Sequence, residues 1–480
     1  MKNLTFLLPW LAVAPALAGL PAVGPDYVRP DAPRAEAYRD AGHSDAWKTA
    51  APADHFARGE WWTLFGDDTL NELEVRALAA NQDLRAAAAR VEQARAAAGL
   101  ARSAYWPQVA VGGVVTRERT STTTDNVQPN PLTTTYRAPL EASWEIDLFG
   151  RVRRLGESSR AEAAASAAAF ESVRLALTAE VATNYFSLVA VEREWAVVRD
   201  TVGLRRRAAE LITARMRSGT AADLDVARAE TELALAEADL AALANRRAAL
   251  QNALAVLVGE PASGFALTVT ARDFAAPEIP AGLPSELLER RPDIAAAERA
   301  LAAANARIGV AKAAFFPAIS LTGGVGQASG DIDRLFDSDS RTWSIGPRLY
   351  LPIFQGGRNR ANFARSQAAY HEAVAVFRQQ VLVAFREVQD ALTATHLLQQ
   401  QAAAQERALV ASRRATGQAQ TRYDAGYVSY LEVIDAQRTT LGLERANTQL
   451  AAQRINASVA LIKALGGGWS SATANPNPEI

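Results

Sequence analysis

Cysteine is absent from the 480 residues, and the chain has only two methionines and four histidines. Disulfide frameworks, thiolate zinc sites, iron–sulfur clusters and thiol catalysis are thereby excluded. His43, His55, His371 and His396 are scattered without ligand spacing, so neither a metal site nor a cofactor is expected. A basic excess is also missing: 51 Lys and Arg face 52 Asp and Glu, a net charge of −1. That balance argues against a nucleic-acid partner. Gly324-Val-Gly326 leads into an acidic loop and not a helix, so it is no nucleotide fingerprint. No nucleophile–base constellation or paired-carboxylate pocket can be argued, and no enzyme is expected.

Long apolar runs are confined to the first residues. Lys2, the run Leu4 to Leu17 and then Ala16-Leu17-Ala18 describe a secretory signal over residues 1–18, cleaved after Ala18. The run falls short of the ~20 residues a membrane-spanning helix needs. Leu17-Ala18-Gly19-Leu20 has the shape of a lipoprotein box, with Leu20 where the modified cysteine must stand. A thioether lipid anchor is therefore not expected, although the mature chain is expected to be exported.

Proline is missing from two very long stretches, between Pro139 and Pro261 and between Pro352 and Pro476. Gly203 is the one internal glycine of Gly156–Ser218, and Gly417 that of Asn359–Ala425. Alanine, the strongest helix former, makes up roughly a fifth of the chain. Stretches of ~65 residues predict helices on the order of 100 Å long. Their apolar residues repeat in heptads, as Leu233, Leu240 and Leu254 beside Leu243, Leu250 and Leu257. Tyr370, Phe377, Ala384 and Ala391 interleave in the same way with Val374, Val381 and Val388. Such seams predict close coiled-coil packing.

The chain is also duplicated. Gly99–Pro107, ending Trp106-Pro107, returns as Gly309–Pro317, ending Phe316-Pro317. Arg215-Met-Arg-Ser-Gly219 returns as Arg422-Tyr-Asp-Ala-Gly426, and Leu224-Asp225-Val226 as Leu431-Glu432-Val433. Order and spacing are held together, as expected of a true repeat. Repeat 1 covers residues 69–258 and repeat 2 covers 293–465. Each holds a first helix (Thr69–Ser103, Asp293–Ala314), two strands, a long helix and a return helix. Residues 19–68, a linker over 259–292 and a tail over 466–480 lie outside the repeats.

The strands fix the class. Leu140, Ala142, Trp144, Ile146 and Leu148 alternate with Glu141, Ser143, Glu145 and Asp147. A similar alternation runs through Trp343–Ile353. Strands are expected at about 108–116, 138–149, 317–326 and 342–354, each with one dry face. The Thr-rich Thr120–Thr135 and the Gly/Asp/Ser-rich Gln327–Arg341 read as exposed hairpin loops. Segments of this kind suit a transmembrane β-barrel, with Trp106, Trp144, Phe316 and Trp343 near the strand ends as membrane-interface aromatics. A barrel in lipid must close and needs about eight or more strands, so several chains must share one. A periplasmic coiled-coil scaffold without a pore is the reading the helices alone would leave open.

The residues then match a known family. Arg291-Pro-Asp-Ile294 through Glu298 and Ile308-Gly309 to Phe316-Pro317 carries the most specific resemblance. Val23-Gly-Pro-Asp-Tyr27, Trp61-Trp62-Thr-Leu-Phe65-Gly66-Asp67, Asp435-Ala-Gln-Arg438 and Ala464-Leu-Gly-Gly-Gly-Trp469 add to it. The chain resembles outer-membrane efflux channels of the TolC type, most closely their OprM/NodT branch. The resemblance implies a mainly α-helical chain with transmembrane β-structure. It also implies a homotrimer with a twelve-stranded β-barrel continued by an α-helical barrel. It places the protein in the outer membrane with a large periplasmic part, docked to an inner-membrane pump through a periplasmic adaptor. The exit duct of a type I protein secretion system shares that architecture.

By the same resemblance, the turns at Gly219 and Gly426 form the periplasmic tips. Gly219, Thr220, Gly426 and Tyr427 would meet the adaptor. Glu432 and Asp435 fall where an acidic ring lines the constriction, which favours cations. Asp225 and Tyr423 fall where a side-chain hydrogen bond holds the closed state. Val428 stands where relatives usually carry a polar gate residue, so closure here would lean on packing.

Overall fold

The computed structural model describes residues 22–33, 60–123, 125, 130–270, 277 and 291–467. The signal segment, Leu20, most of the 19–68 and 259–292 segments and all but the start of the tail lie outside the described residues. Seven α-helices and five strands follow in order among them. The helices are α1 (Asp68–Ala80), α2 (Gln82–Ser103), α3 (Arg151–Arg217), α4 (Asp223–Leu257), α5 (Pro292–Ala313), α6 (Arg358–Asp424) and α7 (Tyr430–Ala464). The strands are β1 (Gln108–Val111), β2 (Val114–Arg119), β3 (Leu132–Ile146), β4 (Ala318–Ser329) and β5 (Arg341–Tyr350).

The duplication is visible in the lengths. α2 and α5 each have 22 residues, α3 and α6 each 67, and α4 and α7 each 35. With no proline to remove a hydrogen bond, the long helices run unbroken. Their seams are buried as the heptads require: Phe377, Val381, Ala384, Val388 and Ala391 on α6, and Leu243 and Leu254 on α4. No helix among the described residues is long and apolar enough to cross a membrane.

The chain divides into two compact units, and each draws on both repeats. One holds residues 1–31, 90–167 and 296–378, including all five strands. Its sheet is an antiparallel meander in the order β1/β2, β3, β4, β5. The register sets Val111, Leu140, Val325 and Trp343 side by side, and Val109, Ala142, Gly323 and Ile345 in the next apolar row. The intervening rows are polar, as in Glu145 opposite Ser320 opposite Arg348. One face is therefore apolar across all strands and the other hydrophilic, because side chains alternate with period two.

In the same unit the N-terminal residues are tied down by the buried Arg154 on α3. Its guanidinium donates to the Val23 carbonyl (3.4 Å) and the Asp26 carboxylate (2.7 Å), and pairs with Glu157 (2.8 Å). Gly24 and Gly309 meet so closely that a Cβ on Gly24 would lie 2.5 Å from the Gly309 Cα.

Strand bounds depart from expectation at several places, most of them for a local reason. The first strand continues to Arg119 but is interrupted at Gly112-Gly113, opposite Ala138 and Pro139, where Pro139 has no N–H to donate. β3 begins at Leu132, not 138. Thr133–Thr135 pair with Thr116–Glu118 and belong to the sheet, as β-branched residues readily do. β3 also stops at Ile146, because the Asp147 carboxylate turns to accept the Val152 and Arg153 N–H groups that open α3. The last two strands occupy 318–329 and 341–350. β5 ends two residues before Pro352, which has no N–H to donate to a ladder.

The second unit holds residues 32–89, 168–295 and 379–480. The helix expected over Thr69–Ser103 is two helices here. Asn81 ends α1 in extended conformation and caps α2, its Oδ1 accepting the Leu84 N–H at 2.9 Å while its Nδ2 donates to the Leu257 carbonyl at 3.0 Å. Asp67 caps α1 in the same way and accepts the Tyr185 hydroxyl at 2.7 Å. Trp61, Trp62, Leu70 and Leu73 pack against Val181, Tyr185 and Phe186 of α3, Leu254 of α4 and Val459 of α7.

Arg291 of the resemblance-bearing Arg-Pro-Asp-Ile motif is a buried clamp in this unit. It donates to Asp293 (3.0 and 2.6 Å) and to the Ala464 carbonyl (3.0 Å), and pairs with Glu387 (2.7 Å). Burial alone would raise the Asp293 carboxyl. The Arg291 bonds and charge outweigh it, with further donors from Ile294 and Gln380, and hold it below the usual carboxylate range.

Candidate functional site

The candidate gate lies at the two turns that join each long helix to its return helix. Each turn closes its long helix with the same pair of bonds. Gly219 N–H reaches the Met216 carbonyl and Thr220 N–H the Arg215 carbonyl, both at 2.9 Å. Gly426 N–H reaches Tyr423 and Tyr427 N–H reaches Arg422, again at 2.9 Å. This is a Schellman cap, which requires a left-handed residue, and the φ angles are +73° and +79°. Thr220 and Tyr427 are exposed on their turns, and Val428 is half-buried.

Tyr423 and Asp225 are not brought together. The Tyr423 hydroxyl accepts from Arg215 Nη1 at 3.1 Å, with the guanidinium 5.8 Å from the ring centre and the Tyr430 ring at 5.5 Å. Asp225 sits in the first turn of α4, where an acidic side chain meets the positive helix end, and pairs locally with Arg228 at 3.5 Å. Tyr430 packs on the small cluster of Ala209, Ile212, Val226 and Ala229, so the second return helix is seated on the first hairpin. Burial pushes the Tyr430 hydroxyl up from its ordinary value, with Tyr423 adding to the shift.

Glu432 and Asp435 are both exposed on α7. Neither carboxylate has a side-chain hydrogen bond among the described residues, although Asp435 lies close enough to act on the Arg438 charge. Arg438, one turn beyond Asp435, is drawn away to Glu232 on α4. Glu232 is buried and is also held by Arg205 of α3, through Oε2 at 3.0 Å and through its carbonyl at 2.7 Å. One carboxylate thus joins α3, α4 and α7. Further along, Glu194 of α3 repeats the arrangement. It accepts from Arg445 Nε at 2.8 Å and from Gln449, while Arg445 also reaches Asp239 of α4 at 2.8 Å.

Neither clamp is visible in the local sequence pattern alone. The signal for Glu232 is a carboxylate inside the small-residue stripe Ala229, Glu232, Ala236, Leu243, all of which are buried. A charge on that stripe must be paired.

At the strand ends the four aromatics part company. Trp106 and Trp343 are exposed, Trp343 in the apolar row beside Val325. Trp144 is buried, its indole N–H donating to the Tyr105 carbonyl at 3.0 Å, while its register places it on the apolar face with Leu140 and Ala142. The α2 terminus offers that carbonyl, and an indole N–H seeks such a partner when buried. Phe316 is half-buried and stacked on Phe149, with ring centres 4.8 Å apart.

Known proteins match this arrangement. The outer membrane efflux protein family profile matches twice, over residues 73–260 and 283–467, one match per repeat. The cation efflux system protein CusC of Escherichia coli O6:H1 is 34% identical over 96% of this chain and 98% of its own. Outer membrane protein OprJ of Pseudomonas aeruginosa is 36% identical over 98% and 97%. The toluene efflux pump outer membrane protein TtgF of Pseudomonas putida is 35% identical over 97% and 98%. Among solved structures, the outer-membrane channel OprN superposes with a TM-score of 0.86 at 33% identity, over 93% of this chain and 99% of its own. The open-state MtrE channel of Neisseria gonorrhoeae gives 0.81 at 31%, over 93% and 98%. The two-faced sheet, the paired long helices and these relatives agree: the chain is an outer-membrane channel belonging to the outer membrane efflux protein family.

Proposed function

We propose that three copies of this chain close one barrel and continue it as a helical duct, which carries small molecules from a pump and a periplasmic adaptor to the outside. The sheet register supports this best. An apolar face runs across every strand while both sheet edges stay unpaired among the described residues, and in lipid an unpaired edge must find a partner. The relatives are named for cation, toluene and solvent efflux, so substrate choice belongs to the pump more than to the duct.

The tips act as gate and docking end. Gly219, Thr220, Gly426 and Tyr427 present the two turns to the adaptor. Glu432 and Asp435 line the constriction as an acidic ring, since both carboxylates are exposed while Arg205 and Arg438 are committed to Glu232. Closure rests on Tyr430 packing, half-buried Val428, the Arg215–Tyr423 bond and the Glu232 clamp. Asp225 supports its own hairpin through Arg228. Opening is a population shift toward splayed tips that the adaptor binds better. The test is reversal potential in a planar bilayer under a salt gradient. Cation preference should fall several-fold in Asp435→Asn with Glu432→Gln. Unchanged selectivity would place the ring elsewhere.

A further inference from the structure

The repeat is carried into the junction between strands and helices, and there one contact has only half its expected copies. Each repeat enters its first strand through an aromatic pair, Tyr105-Trp106 or Phe315-Phe316, followed by proline. Each leaves its second strand through Leu148-Phe149 or Ile353-Phe354, just before the positive-φ glycine that opens the long helix, Gly150 or Gly357. The second repeat has two extra residues in that turn, Gln355 and Gly356.

Contacts within a repeat occur twice. A Cβ on Gly156 would lie 3.0 Å from the Tyr105 hydroxyl, and at the equivalent place Phe315 meets Phe363 edge-on at 6.1 Å. The contact from one repeat to the next occurs once. Phe149, leaving repeat 1, stacks on Phe316, entering repeat 2. Its counterpart would join Phe354, leaving repeat 2, to Trp106, entering repeat 1. Among the described residues neither ring has an aromatic partner. Phe354 is 89% exposed, its neighbour Ile353 is 93% exposed, and Trp106 is 50% exposed.

The two rings also sit where the sheet ends. Trp106 precedes β1 on one edge, and Phe354 follows β5 on the other. A hollow of about 680 Å³ beside Trp106, lined by Tyr105 and Trp144 and also by charged side chains such as Arg102 and Arg153, has room for two further side chains. The hollow beside Phe316, which Phe149 lines, measures about 150 Å³.

We infer that Ile353-Phe354 of one copy docks against Trp106 of the next, reproducing between chains the Phe149–Phe316 stack found within one. The partner is a second copy of this chain, and the inference rests on the multi-chain barrel proposed above. A ring of alternating repeats makes the same contact at every boundary, and only half of those boundaries lie inside a chain. Three Phe354–Trp106 contacts then alternate with three Phe149–Phe316 stacks around the junction, and offset-stacked rings of this kind add to the area they bury.

The chain's lack of cysteine makes the test direct. A Trp106→Cys, Phe354→Cys double variant in membranes, treated with a short bis-methanethiosulfonate linker, should give covalent two- and three-chain species. Phe149→Cys with Phe316→Cys should link within single chains only. If the double variant assembles but stays unlinked, or links only within one chain, while the control links, the contact is overturned and the channel reading stands. If the unsubstituted protein runs as a single chain before heating, the multi-chain reading itself fails. Should the cysteine variant not assemble, Phe354→Ser should dissociate at least ten degrees lower than Phe336→Ser, another highly exposed ring in the loop between β4 and β5. Equal dissociation temperatures would overturn the contact.

Discussion

Glu74 and Val75 on α1 are in reversed positions. The glutamate is fully buried with both carboxyl oxygens unpartnered, while the valine beside it is 61% exposed. Burial alone drives the Glu74 carboxyl from 4.5 up to about 9, and no charged group adds to the shift. The folded chain therefore keeps a proton between about pH 4.5 and 9 that the unfolded chain releases. Stability from this residue is full below pH 4.5 and declines as pH rises toward 9. Glu74→Gln should flatten that decline in thermal melts of the detergent-solubilised protein between pH 5 and 9. Exchanging the two residues, Glu74→Val with Val75→Glu, should stabilise by about 1–3 kcal/mol at pH 8, the order of cost for an unsatisfied buried polar group. A lower melting temperature in the exchange variant would contradict this.

Among the elements, the return helices matter most, because their lengths and caps are duplicated while their partners are not. α7 is fastened to the first hairpin by Arg438 on Glu232 and by Arg445 on Glu194. Glu232→Gln leaves the shape but removes the charge that two arginines share. Breaking one side of such a buried set costs about 3 kcal/mol or more. The expected result is a loosened tip, with open probability in single-channel recordings raised at least several-fold. Arg228→Ala, which removes a local ion pair with Asp225, should leave it near the unsubstituted value. Gly426→Ala forces a side chain into φ +79° and should lower the melting temperature by the equivalent of about 1 kcal/mol.

For the whole molecule, the edges of the sheet govern behaviour. With one edge at β1/β2 and the other at β5, the chain alone leaves two rows of backbone groups unpaired. The protein should migrate on unheated detergent gels as an assembly of three chains, and reductant should change nothing in a chain without cysteine. Replacing the Thr-rich loop over 121–130 by a short turn should keep that assembly, because β2 and β3 already pair up to Arg119 and Leu132. Loss of the three-chain species in that variant would show that the loop takes part in assembly.

Much of the architecture follows from periodicity alone. Missing proline and heptad spacing fixed the long helices, alternation fixed the two-faced strands, and the repeat fixed their order, because each depends on neighbours in sequence. Boundaries were less legible. Thr133–Thr135 look like loop until Thr116–Glu118 lie opposite them, and Asn81 looks like one more helical residue until its amide finds the Leu257 carbonyl. The gate was the least legible part. The sequence sets Tyr423 beside Asp225, and only the approach of the two hairpins gives its hydroxyl to Arg215. Likewise Asp435 and Arg438 sit at pairing distance along one helix, yet the buried Glu232 on another helix holds the arginine more strongly, since a charge removed from water must be matched. The sequence by itself determined the elements, their duplication and the membrane face of the sheet, all products of local pattern. Tertiary structure alone decided which charges are neutralised and which remain exposed, because that depends on which helices meet.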